Sequence, residues 1–478
     1  MEGMAAASPR KNRIVIVGGG PGGYEAALSG AQLGADVTLI ERQGVGGSAV
    51  LTDVVPSKTL IATAEAATNI RVSGRLGVRF GEKAYKQPRI SVDLAAVNAR
   101  LLGLAKAQSD DMRAELETAG VRLIAAEGRL DGAGRVVAAV KEGRAKRVVA
   151  ELQADTVVLS TGATPRQLPS AKPDGERILT WTQLYGLAKL PEHLIVIGSG
   201  VTGAEFASAY RALGSEVTLV SSRDRVLPGE DQDAARVLEG VFRRGGLTVL
   251  SKSRGDSVVR TADGVLVTLS DGRTIEGSHC LVAVGSIPNT RGIGLERAGV
   301  DTTESGHIRV NRVANTSVPS IYAAGDCTNF LPLASVASMQ GRTAVFHALG
   351  DVAVPTELRN VTSNIFTQPQ IATVGWQEVD VREGRVKGRV TKLPLSANPR
   401  AKMQGVRDGF VKLITTTTTG QVLGGVVVAP NASELILSIS LAVEHRLTTD
   451  ELARAFGVYP SLSSSITDAA RAAHIVVR

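Results

Sequence analysis

The sequence predicts an α/β protein made of two copies of one strand–turn–helix–strand unit, closed by a C-terminal α+β module. Three observations carry this. An apolar run ending in a glycine cluster occurs twice, at a constant offset of 180 residues. Each copy continues into an Ala-rich helical stretch and a second apolar strand. From about Asn360 onward the texture changes to β-rich alternation followed by a helix-like segment.

The first copy reads Ile14-Val15-Ile16-Val17-Gly18-Gly19-Gly20-Pro21-Gly22-Gly23, and the second Leu194-Ile195-Val196-Ile197-Gly198-Ser199-Gly200-Val201-Thr202-Gly203. The match runs on without a gap. Gly34 pairs with Gly214, and Asp36-Val37-Thr38-Leu39 pairs with Glu216-Val217-Thr218-Leu219. In such a unit the first glycine allows a tight turn, the second lets backbone approach a pyrophosphate, and the third lets the helix pack on the sheet. The N–H groups and dipole of the helix start then hold the anion. A lone GxGxxG is weak, but two copies in the same strand and helix context predict two dinucleotides per chain.

The copies differ at the residue that ends the second strand. Copy one has Glu41, a carboxylate placed to hold ribose hydroxyls. Copy two has Ser221, followed by Ser222, Arg223 and Arg225. Without a carboxylate a 2′-phosphate is not repelled, and an arginine can pair with it, so this copy leans towards NADPH or dual use. The alternative is that Arg223 and Arg225 are solvated loop charges. Further on, Thr156 to Gly162 and Cys280 to Gly285 read as buried strands closing the two units. Ile321 to Asp326 is a third such run with a carboxylate past its end. In the last module Thr415 to Thr419 reads as a strand running into a turn, and Ser433 to Glu444 as a helix.

Composition narrows the function classes. At 478 residues the chain has room for about three domains of roughly 150 residues. Aromatics are only 3%, which argues against stacking platforms for single-stranded nucleic acid. The formal charge is +8, yet basic and acidic residues are interspersed, and the densest patch, Arg144 to Arg147, reads as a solvated hairpin end. No nucleic-acid partner is expected. Cys280 and Cys327 make no metal or CxxC spacing, so no metal is expected. Met1 to Asn12 lacks the apolar core of a secretory signal, and no run reaches the roughly 18 apolar residues of a membrane span. The expectation is a cytoplasmic protein.

Taken together, these motifs resemble the pyridine nucleotide–disulfide oxidoreductases of the lipoamide dehydrogenase and glutathione reductase type. The matching elements occur in family order. They are Gly18-x-Gly20-x-x-Gly23 with Glu41, Pro56-Ser57-Lys58, Thr161-Gly162, and Gly198-x-Gly200-x-x-Gly203-x-Glu205. Gly285-Ser286-Ile287-Pro288-Asn289, Ala324-Gly325-Asp326 and Pro369 to Gly375 follow. The resemblance implies two Rossmann-like domains, one for FAD and one for NAD(P)H, and an α+β dimerisation domain that makes a homodimer. The boundaries it implies are 1–165 and 291–355 for FAD, 166–290 for NAD(P), and 356–478 for dimerisation. FAD contacts are expected at Gly18, Gly20, Pro21, Gly22, Gly23, Glu41, Arg42, Gly47 and Ser48, and at Lys58, Thr161, Gly162, Asp326 and Ala334. NADPH or NADH contacts are expected at Gly198, Gly200, Val201, Thr202, Gly203, Glu205, Ser221, Ser222, Arg223 and Gly285.

The resemblance breaks at the chemical centre. Where the family has C-x4-C-x-P-S-K, this chain has Ala49 and Val54 at the cysteine positions, and neither can form a thiolate or a disulfide. Where the family has His-Pro-Thr-Leu-Ser-Glu, it has Tyr459-Pro460-Ser461-Leu462-Ser463-Ser464. Lipoamide dehydrogenase and glutathione reductase activities are excluded on these grounds. What survives is the nicotinamide-to-flavin half-reaction, with Lys58 beside the flavin and paired to Glu205 by resemblance. Read without the resemblance, Lys58 is a surface lysine after a turn and Glu205 a first-turn helix carboxylate.

An apolar pocket at Ala49 and Val54 suits a flat acceptor stacking on the ring. The expected activity is therefore NAD(P)H:quinone oxidoreduction, as in lipoamide-dehydrogenase-like quinone reductases. Tyr459 of the partner subunit is expected to hydrogen-bond the quinone or else to pack at the interface. The alternatives are transhydrogenation between NADPH and NAD, and a non-catalytic scaffold or sensor.

Overall fold

The computed structural model describes residues 11–79 and 90–474. The reading of Met1 to Asn12 falls, up to Arg10, outside the described residues. The chain divides into two compact units. Unit 1 comprises Met1–Pro56, Leu102–Thr164 and Ser286–Leu358, and unit 2 comprises Ser57–Leu101, Pro165–Gly285 and Arg359–Arg478. The segments read as NAD(P) and dimerisation domains thus fall together in unit 2.

Unit 1 is built on a five-stranded sheet in the order Ile321–Ala323, Thr156–Leu159, Arg13–Val17, Asp36–Ile40, Arg122–Ile124, with every neighbour parallel. Parallel sheets are covered on both faces, which is why the strands are apolar at consecutive positions. Ile14 and Ile16 face a core shared with Ala26 and Ala27 of the helix Pro21–Gln32 and with Ala344 and Val345 of the helix Ala334–Ala348. Val15 and Val17 face the opposite core, against Leu130, Val136 and Ala138 of a three-stranded antiparallel sheet. That sheet is formed by Glu127–Leu130, Arg135–Glu142 and Ala145–Gln153. The basic run sits at its hairpin, where Lys146 pairs with Glu127 and Arg147 with Glu142.

Unit 2 repeats the plan. Its parallel sheet runs in the order Thr248–Leu250, Glu216–Val220, His193–Ile197, His279–Val282, Ile178–Leu179. One face, through Ile195 and Ile197, packs on a three-stranded antiparallel sheet of Gly255–Arg260, Val265–Leu269 and Thr274–Gly277. The other face, through Leu194 and Val196, packs on the helix Val201–Leu213, in a core to which the C-terminal module also contributes.

That module is a five-stranded antiparallel sheet ordered Ser363–Ile365, Gln370–Gly375, Val422–Ala429, Phe410–Thr415, Arg389–Pro394. Ile371, Phe410, Val426 and Val428 contribute to the same core as the nucleotide sheet. The other face, through Ala372, Val411, Leu413 and Val427, is covered by the helices Ala432–Glu444 and Ser464–Ala472. The Thr415 run ends its strand and turns, as the sequence indicated.

The glycine turns fix where each first helix begins. A Cβ on Gly23 would lie 1.9 Å from the Gly18 carbonyl oxygen, and one on Gly203 would lie 1.8 Å from that of Gly198. These clashes are with backbone and cannot be relieved by a rotamer. A Cβ on Gly20 meets nothing within 4 Å. Gly23→Ala is therefore expected to destabilise the flavin-free protein by about 3 kcal/mol. Gly20→Ala, at φ −65°, is expected to stay within about 0.5 kcal/mol of wild type. Urea unfolding of both apo variants checks the pair.

Candidate active site

In unit 1 the glycine turn, the Gly46–Gly47 turn and two strand ends converge. Gly46 N–H donates to the Gly19 carbonyl at 2.7 Å, and Gly47, at φ +57°, lies so close that a Cβ there would sit 2.8 Å from Gly20 Cα. Gly22 is equally tight against Ala324 and Ser160. Within this ring the helix Pro21–Gln32 starts at Gly20 with no side-chain cap and no acidic residue in its first turn. Helix starts leave N–H donors without intrahelical partners, and among the described residues no side chain caps this one. A dinucleotide pyrophosphate fits this cradle. In unit 2 the helix Val201–Leu213 starts at Gly200 in the same uncapped way, with Val201 exposed. Gly285, at φ +95°, follows the neighbouring strand. By contrast, the helix Gln232–Arg244 is capped by Asp231.

Glu41 stands where the sequence placed it. Its carboxylate accepts from Gly19 N–H and Gln43 N–H, each at 2.7 Å, at the end of Asp36–Ile40. Neighbouring Arg42 is exposed and pairs with Glu127 at 3.5 Å, while Ser48 is exposed one residue past Gly47. Ser221 occupies the equivalent place in unit 2. It is fully buried, its hydroxyl 2.7 Å from Ser199 Oγ, and it accepts from Arg223 N–H at 3.2 Å. It shapes the loop. Ser222 and Arg223 beside it are exposed, and the Arg223 guanidinium has no partner among the described residues. Arg225 is turned back onto Asp224 and the Pro228 carbonyl.

Asp326 follows the strand Ile321–Ala323, in the turn after Gly325 at φ +85°. It accepts no hydrogen bond among the described residues, and burial pushes its carboxyl above the usual range, with His307 opposing. Two residues not read as site residues hold this region. Gln340, 1% exposed, accepts from Gly325 N–H at 2.8 Å and donates to Thr328 Oγ1 at 3.3 Å. Asn289 donates its side chain to the Thr161 carbonyl at 3.0 Å and its backbone N–H to that of Gly162 at 2.9 Å. Asn289 had a signal, since it ends a matched motif; Gln340 had none. Ala334 opens the helix Ala334–Ala348, a third start without a side-chain cap.

In unit 2, Lys58 Nζ donates to Glu205 Oε2 at 2.8 Å, and the second carboxylate oxygen accepts from Phe366 N–H at 2.8 Å. The ammonium also lies 4.9 Å from the Phe366 ring centroid. Lys58 is not after a turn but inside the helix Val54–Ser73, and Glu205 lies beyond the first turn of its helix. The Glu205 side chain is 5% exposed and that of Lys58 27%, so the lysine side chain is partly exposed while its partner is buried.

Residues 12–341 match the pyridine nucleotide-disulphide oxidoreductase family, and residues 361–470 match its dimerisation domain. The chain belongs to this family. It therefore binds FAD and NAD(P)H, and the uncapped helix starts and the open Asp326 carboxylate fit those groups. An NAD(P)H dehydrogenase (quinone) of Mycobacterium tuberculosis is 52% identical over 464 residues, covering 96% of this chain and 93% of the relative. A dihydrolipoyl dehydrogenase of Chlorobaculum tepidum is 32% identical, covering 96% of each. The crystal structure of LpdA from Mycobacterium tuberculosis superposes with a TM-score of 0.91 at 51% identity, covering 97% of this chain and 100% of that one.

At the family's cysteine positions, Ala49 lies in the short helix Gly47–Leu51 and Val54 opens the helix Val54–Ser73, 38% exposed. Val54 and Lys58 are four residues apart and share a helix face. Both cysteines of the chain are free and buried elsewhere, and burial pushes each thiol up. At the family's C-terminal pair, Tyr459 is 76% exposed, and Ser464 Oγ is tied to the Ser461 carbonyl and to Asn398. Among the described residues no helix is long and apolar enough to cross a membrane.

The Asp326 environment gives a pH-dependent expectation. Its folded pKa is raised, so the cost of ionising it is absent at pH below the ordinary aspartate value and develops as pH rises through the folded value. Asp326→Asn removes that cost. The apo variant is expected to melt higher than wild type at pH 7, with the gain vanishing in acid, while its FAD affinity falls at least several-fold. Melting curves across pH and flavin-release fluorescence check both.

Proposed function

We propose that this chain is an FAD-dependent NAD(P)H:quinone oxidoreductase, acting as a homodimer on a small-molecule quinone without any protein dithiol. The observation that carries the reading is the pairing of a retained Lys58–Glu205 ion pair with Ala49 and Val54 in the thiol positions. FAD, when bound, supplies hydride acceptance from the nicotinamide and electron delivery to an acceptor.

The chain's own residues do the rest. Lys58, fixed by Glu205 and backed by Phe366, supplies a preorganised positive charge that favours anionic forms of a neighbouring ring. Ala49 and Val54 present methyl groups and no nucleophile, so a planar apolar acceptor can occupy space that a disulfide fills in dithiol relatives. Tyr459 is exposed in the single chain, as suits a residue covered by a second copy, and its phenol can donate a hydrogen bond to a quinone oxygen. The reaction balances as NAD(P)H, a proton and quinone giving NAD(P)⁺ and quinol. The quinone-reducing activity named for the relative from Mycobacterium tuberculosis supports the same reading. Exposed Arg223, whose guanidinium has no partner among the described residues, with no carboxylate at position 221, favours NADPH as donor.

Anaerobic titration of the holoenzyme with NADPH and with NADH, followed by a small quinone, tests the proposal. Either nucleotide should bleach the flavin band, and quinone should restore it within one turnover. Arg223→Ala should raise the KM for NADPH about tenfold and leave that for NADH nearly unchanged. A reduced flavin that quinone fails to reoxidise overturns the assignment.

A further inference from the structure

The loop from Ser221 to Asp231 carries Arg223 and runs from the second strand of the nucleotide unit to the start of the helix Gln232–Arg244. It is held in a conformation that a free loop does not favour. Leu227 sits at φ +52°, a left-handed geometry unusual for a branched residue, and its N–H donates to the Ser199 carbonyl of the glycine turn at 2.8 Å. Lys252, at φ +53°, donates its N–H to the Arg223 carbonyl at 2.7 Å. Such geometry persists only when the surroundings over-determine it.

The far end of the loop is gripped by a buried cation. Lys412 is completely buried, on the strand Phe410–Thr415 of the C-terminal module. Its ammonium donates to both oxygens of Asp231, at 2.8 and 3.1 Å. It also reaches Asp233 at 3.0 Å and bonds Glu378. Asp231 simultaneously caps the helix, accepting from Asp233 N–H at 3.0 Å and Ala234 N–H at 3.1 Å. Lys392, directly across the ladder from Lys412, pairs with Asp233 at 2.9 Å. Like charges opposite one another in a ladder repel, so two lysines at this register are stable only because the carboxylates sit between them. The cluster joins the module's central sheet to the one residue that is both loop terminus and helix cap.

We propose that Lys412 is a positioning residue for nicotinamide-nucleotide binding, anchoring the Ser221–Asp231 loop from the C-terminal module through Asp231. The tie makes the module part of the machinery that sets nucleotide affinity. The inference rests on NAD(P)H occupying this unit and is independent of the acceptor.

The test is anaerobic stopped-flow reduction of the holoenzyme by NADPH, read as an apparent Kd and a limiting rate of flavin bleaching. Lys412→Met should raise the apparent Kd about tenfold, within the range of couplings in one ionic network, with flavin content and limiting rate unchanged. Lys412→Met combined with Asp231→Asn, which keeps the cap but removes the stranded carboxylate, should recover much of the affinity. If Lys412→Met yields no holoenzyme, Asp231→Asn alone serves, with a rise of about threefold expected. A lower melting temperature with unaltered Kd in these variants overturns the inference and leaves the cluster purely structural. Wild-type flavin that neither nucleotide reduces would instead sink the assignment of NAD(P)H to this unit.

Discussion

The contact on which the rest depends is the approach of a helix start to its own strand end, at Gly23 over the Gly18 carbonyl and at Gly203 over that of Gly198. No side chain fits between those atoms. The contact brings the first turn of each helix down onto the sheet edge with its N–H groups unclaimed by any cap. The protein leaves two sets of donors open and then lines up Glu41 in one unit and the Ser221–Arg223 loop in the other. Cofactor binding follows from that backbone geometry before any particular side chain is considered.

Much of this was legible because it is local. Glycine spacing, strand apolarity and the acidic strand end all lie within about 30 residues, the length of one βαβ unit. The family resemblance added long-range pairs such as Lys58 with Glu205, which the structure brings to hydrogen-bonding distance. What could not be read were contacts with no motif. Gln340 holds Gly325 from a helix whose sequence marks nothing, and Lys412 looks in sequence like a lone lysine in an apolar strand. Nor could the sequence show that Ser221 is fully buried, with its hydroxyl against Ser199 Oγ. The repeat also runs deeper than the sequence match. Each parallel sheet carries a three-stranded antiparallel sheet on one face, although the residues forming those sheets share no motif.

The functional consequence lies in what is retained and what is replaced. Lys58, Glu205, the two glycine turns and Asp326, the positions proposed to serve the flavin and the nicotinamide, are all present. The positions that handle thiols hold Ala49, Val54, Tyr459 and Ser464 instead. Cys280 and Cys327 do not compensate, since both are buried and their thiols are held in the protonated form. Electrons that enter through the nicotinamide therefore have a flavin but no protein disulfide to visit, and they leave directly to an external acceptor.

The central claim is that no thiol takes part. The most direct measurement is reductive titration and quinone turnover of the cysteine-free variant Cys280→Ala with Cys327→Ala. Full reduction by a single NADPH equivalent per flavin, with quinone turnover within about twofold of wild type, is the predicted result. Uptake of a second equivalent by the wild-type protein, or loss of turnover in a folded, flavin-loaded variant, would contradict it.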